Sequence, residues 1–209
     1  MTQISFSPCG KYLLSGSRDR TWHLFEASDA EDASEGKFFK LIANTDKKTS
    51  VHQRLIWSCC WSHDSRFFAT GSRDKKIVIW SKKANLNAAS INSETSDLGE
   101  YAMACCSPLL LESPVTALTF AKSFLPSTNK KYIIAAGLES GKIVVLLWDS
   151  TLAETEWNKL RTLDITEAHH KTVKRLKFRP LSSLRNEHLL ASCGDDHIVK
   201  LHSIKFNEQ

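Results

Sequence analysis

The stretch Phe6-Ser-Pro-Cys-Gly-Lys-Tyr-Leu-Leu-Ser-Gly-Ser-Arg-Asp-Arg-Thr-Trp-His-Leu-Phe25 lies without a gap over Trp61-Ser-His-Asp-Ser-Arg-Phe-Phe-Ala-Thr-Gly-Ser-Arg-Asp-Lys-Lys-Ile-Val-Ile-Trp80. The same plan returns in Phe178-Arg-Pro followed by Leu189-Leu-Ala-Ser-Cys-Gly-Asp-Asp-His-Ile-Val-Lys-Leu201, and more loosely in Phe120 with Tyr132-Ile-Ile-Ala-Ala-Gly-Leu-Glu-Ser-Gly-Lys-Ile-Val-Val145. Each copy reads as apolar strand, Pro or Asp turn, apolar strand, tight polar turn, apolar strand. The first strand alternates, as in Val173, Leu176, Phe178, and the last is rich in β-branched residues, as in Ile77-Val78-Ile79. A single meander of this kind cannot cover both of its faces. Copies must therefore stack, and radial stacking of small sheets is a propeller.

The copies run over approximately 1–50, 51–114, 115–168 and 169–209. The joins Glu26 to Ser50, Ser81 to Pro114 and Ser150 to Ala168 must each hold an outermost strand. Phe38-Phe-Lys-Leu-Ile42 and Lys159-Leu-Arg-Thr-Leu163 are the candidates in the first and third, and Leu98 to Cys106 in the second. Residues 84–99, rich in Asn, Ser and Ala, read as an exposed loop. Helix signals are weak throughout.

Composition narrows the class further. With 42% hydrophobic and 24% charged residues in 209, the chain has the balance of a soluble globular protein. Its longest wholly apolar run, Ile143 to Trp148, is far short of the roughly 20 residues a membrane-spanning helix needs. The first residues show no basic and apolar leader, so secretion is not expected. Six cysteines, including the neighbours Cys59-Cys60 and Cys105-Cys106, form no disulfide framework and read as intracellular thiols. A net charge of +5 favours contact with an anionic surface without naming it.

The Ser72-Arg-Asp-x-x-x-x-Ile79-Trp80 ending resembles WD40 repeats, as does a His nine residues ahead of the first-strand aromatic: His52 before Trp61, His169 before Phe178. The glycine usual before that His is replaced by Val51 and Ala168. The resemblance implies an all-β WD40 β-propeller, here about four blades of an incomplete seven-bladed ring. At a finer level the chain is similar to the double-propeller scaffold family of the Elongator tRNA-modifying assembly. The likeness is carried by Tyr12 to Trp22, His52 with Ile56 to Ser62, Thr70 to Lys76, Ala136 to Lys142, His169 to Leu176 and Leu190 to His197. It implies a C-terminal segment of the second propeller and a non-catalytic scaffold supporting wobble-uridine modification of tRNA. Implied partners are the other Elongator subunits, especially the largest and catalytic ones, with tRNA reached through the assembly. The implied place is the cytoplasm, with some nuclear presence, and no cofactor or membrane is expected.

The resemblance also implies a structural reading of the polar residues. His52, Asp74, Thr70 or Ser72, and Trp80 tie the strands of one blade by hydrogen bonds, with Asp19 at the equivalent turn of the first copy and His169 and Asp196 in the last. A His-Asp pair beside a hydroxyl also fits nucleophilic catalysis, but an active site occurs once and this pattern recurs with the repeat. His52, Cys59, Cys60 and His63 carry zinc-binding atoms, yet neighbouring strand residues face opposite ways, so the two thiols are poorly placed to share an ion. Lys159, Arg161, Lys171, Lys174, Arg175, Lys177 and Arg179 make 159–179 strongly cationic: a solvated rim, or a contact for RNA phosphate or an acidic protein. Arg18-Asp-Arg20 and Arg73-Asp-Lys-Lys76 repeat a second basic feature at hairpin turns. Of the tryptophans, Trp22, Trp57, Trp61, Trp80 and Trp148 sit at repeat positions, most of them suited to cores, and Trp157 lies outside the register, the best tryptophan for an exposed anchor but expected first as a satellite core contact. The competing functions are therefore a scaffold, a direct tRNA or polyanion binder, and a generic signalling adaptor.

Overall fold

Apolar alternation with turns of a few residues leaves each copy of the repeat one way to pair its backbone, as an antiparallel meander. The computed structural model describes residues 1–27, 39–48, 50–81, 103–104, 108–121, 131–150, 157–180 and 187–205. Four sheets result. The first is β1 (Gln3–Phe6), β2 (Tyr12–Gly16), β3 (Trp22–Ala27) and β4 (Phe39–Asn44), in that order. The second is β5 (Ile56–Trp61), β6 (Phe67–Ser72) and β7 (Lys76–Ser81), with an outer edge made of two short pieces, β8 (Met103–Ala104) and β9 (Leu109–Leu110), both paired to β7. The third is β10 (Val115–Phe120), β11 (Lys131–Leu138), β12 (Ile143–Asp149) and β13 (Trp157–Leu163). The fourth, β14 (Val173–Phe178), β15 (Glu187–Gly194) and β16 (Val199–Lys205), has three strands among the described residues. The fold is all-β, four blades of a propeller that does not close. Residues 84–99 lie outside the described residues.

Blades stack through alternate residues of each strand. Between the first and second blades lie Leu14, Trp22 and Leu24 from one side and Cys59, Phe68, Val78 and Trp80 from the other, with Trp22 edge-on to both Phe68 and Trp80. Phe67, Ala69, Ile77 and Ile79 turn the opposite way, onto Phe120, Ile134 and Leu146 of the third blade. Ile133, Ala135, Ile143 and Val145 carry the pattern on to Leu176, Phe178, Leu190 and Ile204. Cys59 and Cys60 belong to different inter-blade cores, and burial pushes both thiols upward, Cys59 to about 12. Trp157 pairs with Trp148 across β12 and β13 and packs at the margin of the second core, as a satellite contact.

Sheets can approach this closely because each blade drops its side chain at one point. A Cβ on Gly71 would lie 2.6 Å from Val115 Cγ1, and one on Gly137 would lie 2.5 Å from Val173 Cγ1. The inner strand of the next blade is seated on those glycines. Threonines add a stitch at the same level. The Thr2 hydroxyl reaches the carbonyls of Gly16 (3.0 Å) and Ile56 (2.5 Å), and the Thr116 hydroxyl reaches those of Gly137 (3.0 Å) and Val173 (2.5 Å). Tyr132 of the third blade donates its phenol to Asp64 of the second at 2.8 Å.

The tight turns between second and third strands repeat at the level of backbone angles. Arg20 (φ 79°), Lys75 (φ 70°), Gly141 (φ 92°) and His197 (φ 63°) hold the same repeat position, and all are left-handed. Asp19, Asp74 and Asp196 stand one residue earlier. Each accepts an amide two residues on, from Thr21 (3.0 Å), Lys76 (3.0 Å) and Ile198 (3.2 Å). This Asx-type bond holds a non-glycine residue in a region it normally avoids. In the third blade Ser140 replaces the Asp and Gly141 removes the steric cost. A Cβ on Gly141 would also collide with the His169 carbonyl.

Candidate functional site: a repeated buried polar chain

In the second blade the loop before β5 brings His52 over the β6–β7 turn. His52 Nδ1 donates to Asp74 (3.2 Å to the nearer oxygen), and Nε2 lies 2.8 Å from the Thr70 hydroxyl. Trp80 Nε1 donates to the same hydroxyl at 2.8 Å. The Asp74 carboxylate can only accept, which holds the ring proton on Nδ1, so Nε2 accepts the Thr70 hydroxyl proton while the hydroxyl oxygen takes the indole N–H. Burial on its own raises the Asp74 carboxyl. The His52 hydrogen bond, with the amides of Gln53 (2.8 Å) and Lys76, outweighs it and brings the group to about 2. Ser72 is the turn cap in this blade, accepting the Asp74 amide at 3.2 Å.

The fourth blade holds a variant. His169 Nδ1 donates to Asp196 at 2.9 Å, and His169 Nε2 lies 2.8 Å from Ser192 Oγ. His202 Nε2 stands where the indole nitrogen stands in the second blade, 2.8 Å from the same Ser192 oxygen. Asp196 fixes the His169 tautomer, so Ser192 donates to His169 and accepts from His202. Desolvation raises the Asp196 carboxyl, and the His169 hydrogen bond and the amides of Ile198 and His170 outweigh it, to a net reduction. Burial is the leading cause holding His202 below the ordinary imidazole range. The charges of Lys200 and Arg161 add to it, and Glu167 opposes it.

The third blade has given up the chain altogether. Ala136 holds the position of Thr70, Leu146 that of Trp80, Ser140 that of Asp74 and Leu111 that of His52. Ala136 and Leu146 are buried in the second core with Leu111 packed beside them. Removing every partner at once is physically coherent, because a lone buried donor or acceptor is what costs stability. In the first blade Asp19 bonds within its own turn, to the Thr21 amide and hydroxyl, and those bonds lower its carboxyl to about 2. Ser192 and His202 were not in the sequence reading. Setting Leu189–His202 under Phe67–Trp80 places them below Thr70 and Trp80, and that was the available signal.

Asp196, His169 and Ser192 have the order of a hydrolase triad without its access: Ser192 is 2% exposed, and the hydroxyl spends its proton on His169 and its lone pair on His202. Among the described residues no cluster of His, Cys, Asp and Glu is arranged to hold a metal ion.

The cationic stretch 159–179 is contiguous in sequence and divided in space. Lys159 and Arg161 are on β13, the outermost strand of the third blade, and Lys174, Arg175 and Lys177 are on β14, the innermost strand of the fourth. Arg161 bridges to Glu167 (3.1 Å) and to the Ser203 carbonyl (3.4 Å), Lys174 pairs with Asp195 (2.9 Å), and Lys171 and Arg179 are exposed. At the opposite end of the meanders from the β14 terminus, Arg18, Arg20, Arg73, Lys75 and Lys76 occupy equivalent turns of adjacent blades. Arg73 lies 5.9 Å over the Trp57 ring.

Meanders of this register, stacked through glycine and tied by Asp-His-hydroxyl-indole chains, define a WD40-repeat protein. The family model of the WD domain, G-beta repeat, matches residues 1–26, 45–81 and 157–203, more than half of the chain, and the chain belongs to that family. Within it, the chain is homologous to Elongator complex protein 2. It is 42% identical to the Drosophila melanogaster protein over 203 residues (97% of this chain, 23% of the relative), 37% identical to the human protein over 216 (98% and 25%) and 29% identical to the Saccharomyces cerevisiae protein over 209 (99% and 23%). The chain thus spans about a quarter of the length of these relatives. Among solved structures, Chaetomium thermophilum Sqt1 bound to the N-terminus of ribosomal protein L10 superposes with a TM-score of 0.64 at 21% identity, over 96% of this chain and 45% of that one, a likeness of fold.

Proposed function

We propose that the chain acts as a non-catalytic WD40 scaffold segment of an Elongator-type assembly, presenting blade surfaces to the largest and catalytic subunits while the chemistry of tRNA wobble-uridine modification stays with the partners. One observation carries this reading: the Asp-His-hydroxyl constellation recurs with the repeat, is buried wherever it occurs, and is dispensed with as a unit in the third blade. That is the behaviour of a structural tie. Similarity to Elongator complex protein 2 along 97% to 99% of the chain supports the assembly named. The same reading puts the chain in the cytoplasm with some nuclear presence. The test is affinity capture of the tagged chain at near-physiological salt with mass spectrometry. Recovery of Elongator subunits is expected, and recovery of chaperones alone from folded, soluble protein rejects the reading.

A second reading is direct binding of tRNA or another polyanion, favoured by the basic turns Arg18–Arg20 and Arg73–Lys76 and the exposed residues Lys171 and Arg179. It requires a tRNA affinity that falls steeply with salt and weakens when the charges at 171–179 are reversed.

A further inference from the structure

The ends of the four inner strands enclose a cavity of about 290 Å³ that the scaffold reading does not use. Two consecutive repeat positions build most of its wall, with Pro8, His63 and Ala121 just beyond them. The first position gives Ser5, Cys60, Thr119 and Lys177, and the second gives the aromatics Phe6, Trp61, Phe120 and Phe178. The first layer is small and neutral in three blades and cationic in the fourth. Among the described residues no carboxylate lines the cavity, whereas Lys174 on the same strand is matched by Asp195 at 2.9 Å. The aromatic layer is uneven. Phe120 and Phe178 are buried between blades, Trp61 is anchored by its indole nitrogen to the Ser5 carbonyl at 3.0 Å, and Phe6 is 58% exposed.

We propose that this cavity binds a nucleoside monophosphate, with the base against the open Phe6 ring and the Trp61 edge, and the phosphate on the Lys177 ammonium and the hydroxyls of Ser5 and Thr119. Three features select this chemistry. A cation without a matching acid seeks an anion, and a lysine serves phosphate as a point charge. The open face of Phe6 accepts any base. The volume, at the low end for ligand pockets, suits one nucleotide. The proposal is independent of the scaffold reading, because the cavity is at the end of the meanders away from the Asp-His chains.

The experiment is titration of the purified full chain with adenosine monophosphate, adenosine and inorganic phosphate, followed by calorimetry and ligand-observed NMR. Saturable one-site binding of the monophosphate is expected, with a Kd of roughly 1 mM or tighter. Lys177→Ala is expected to weaken it about tenfold, and Phe6→Ala by a similar factor, since each removes one recognition element. Both side chains are exposed, and unchanged thermal melting shows that the variants fold. A 5′-phosphorylated oligoadenylate distinguishes the sources: binding tighter than the mononucleotide, and still dependent on Lys177, assigns the site to an RNA end, and equal or weaker binding assigns it to a free nucleotide. Absence of saturable binding to folded protein overturns the proposal. So does indifference to Lys177→Ala, or a Glu-Phe peptide that binds better than the monophosphate.

Discussion

Replacing Thr70 by Val removes one hydroxyl without changing the shape of the side chain, and so isolates the polar chain from the packing around it. Thr70 is fully buried and serves two partners at 2.8 Å, accepting from Trp80 Nε1 and donating to His52 Nε2. Both would be left unsatisfied, at about 1–3 kcal/mol each, so the expected loss is about 2–6 kcal/mol. For a chain of this size that corresponds to roughly 4–24 °C in Tm. Urea denaturation at constant m is the assay. In a Trp80→Phe background the indole donor is already gone, and Thr70→Val should then cost about 1–3 kcal/mol less, a coupling read from the double-mutant cycle. The third blade is the natural precedent, with Ala136, Leu146 and Leu111 replacing the chain together. A Thr70→Val loss below about 0.5 kcal/mol, within the range of a neutral surface substitution, would refute the tie.

Gly137→Ala places a Cβ 2.5 Å from Val173 Cγ1 and should destabilise by about 1–3 kcal/mol, with Val173→Ala in the same chain restoring part of the loss in urea melts. Tyr132→Phe removes the 2.8 Å bond to Asp64 between the second and third blades and should cost about 1.5–3 kcal/mol, the range for a hydrogen bond to a charged group, measured the same way. His202, His188 and His63 are all held below the usual 6.5 by burial, so the unfolded chain binds protons the folded chain refuses. Stability present above pH 6.5 should therefore fall as pH drops below it, and His202→Trp should flatten that slope in chemical melts run between pH 7.5 and 5. Further acidification should remove the contribution of Asp19 and Asp74, whose carboxyls titrate near 2, between the ordinary carboxylate range and that value.

The repeat was legible because its signals are local. The gapless match of Phe6–Phe25 to Trp61–Trp80 starts on the last residue of an inner strand and contains two further strands joined by a tight turn, which pair with each other. His52, Asp74 and Trp80 were legible only through the resemblance to WD40 repeats. What escaped the reading depends on register between blades. The residues opposite Gly71 and Gly137 are in the next copy, and the Thr2 and Thr116 stitches end on carbonyls that no sequence pattern marks. The cationic stretch shows the reverse difficulty. Neighbours in sequence across the β13–β14 join are the outermost strand of one blade and the innermost of the next, so a charge run there is not a patch. Lys177 matters because of Ser5, Cys60 and Thr119, which only stacking brings around it.

Direct binding is the sharpest test of these four blades as a non-catalytic assembly surface. The measurement is the affinity of the purified full chain for a reconstituted Elongator assembly lacking its own second subunit. Saturable one-to-one binding at near-physiological salt is expected, abolished by Thr70→Val at temperatures where that variant unfolds. Absence of binding by a chain that melts cooperatively and stays soluble would contradict it.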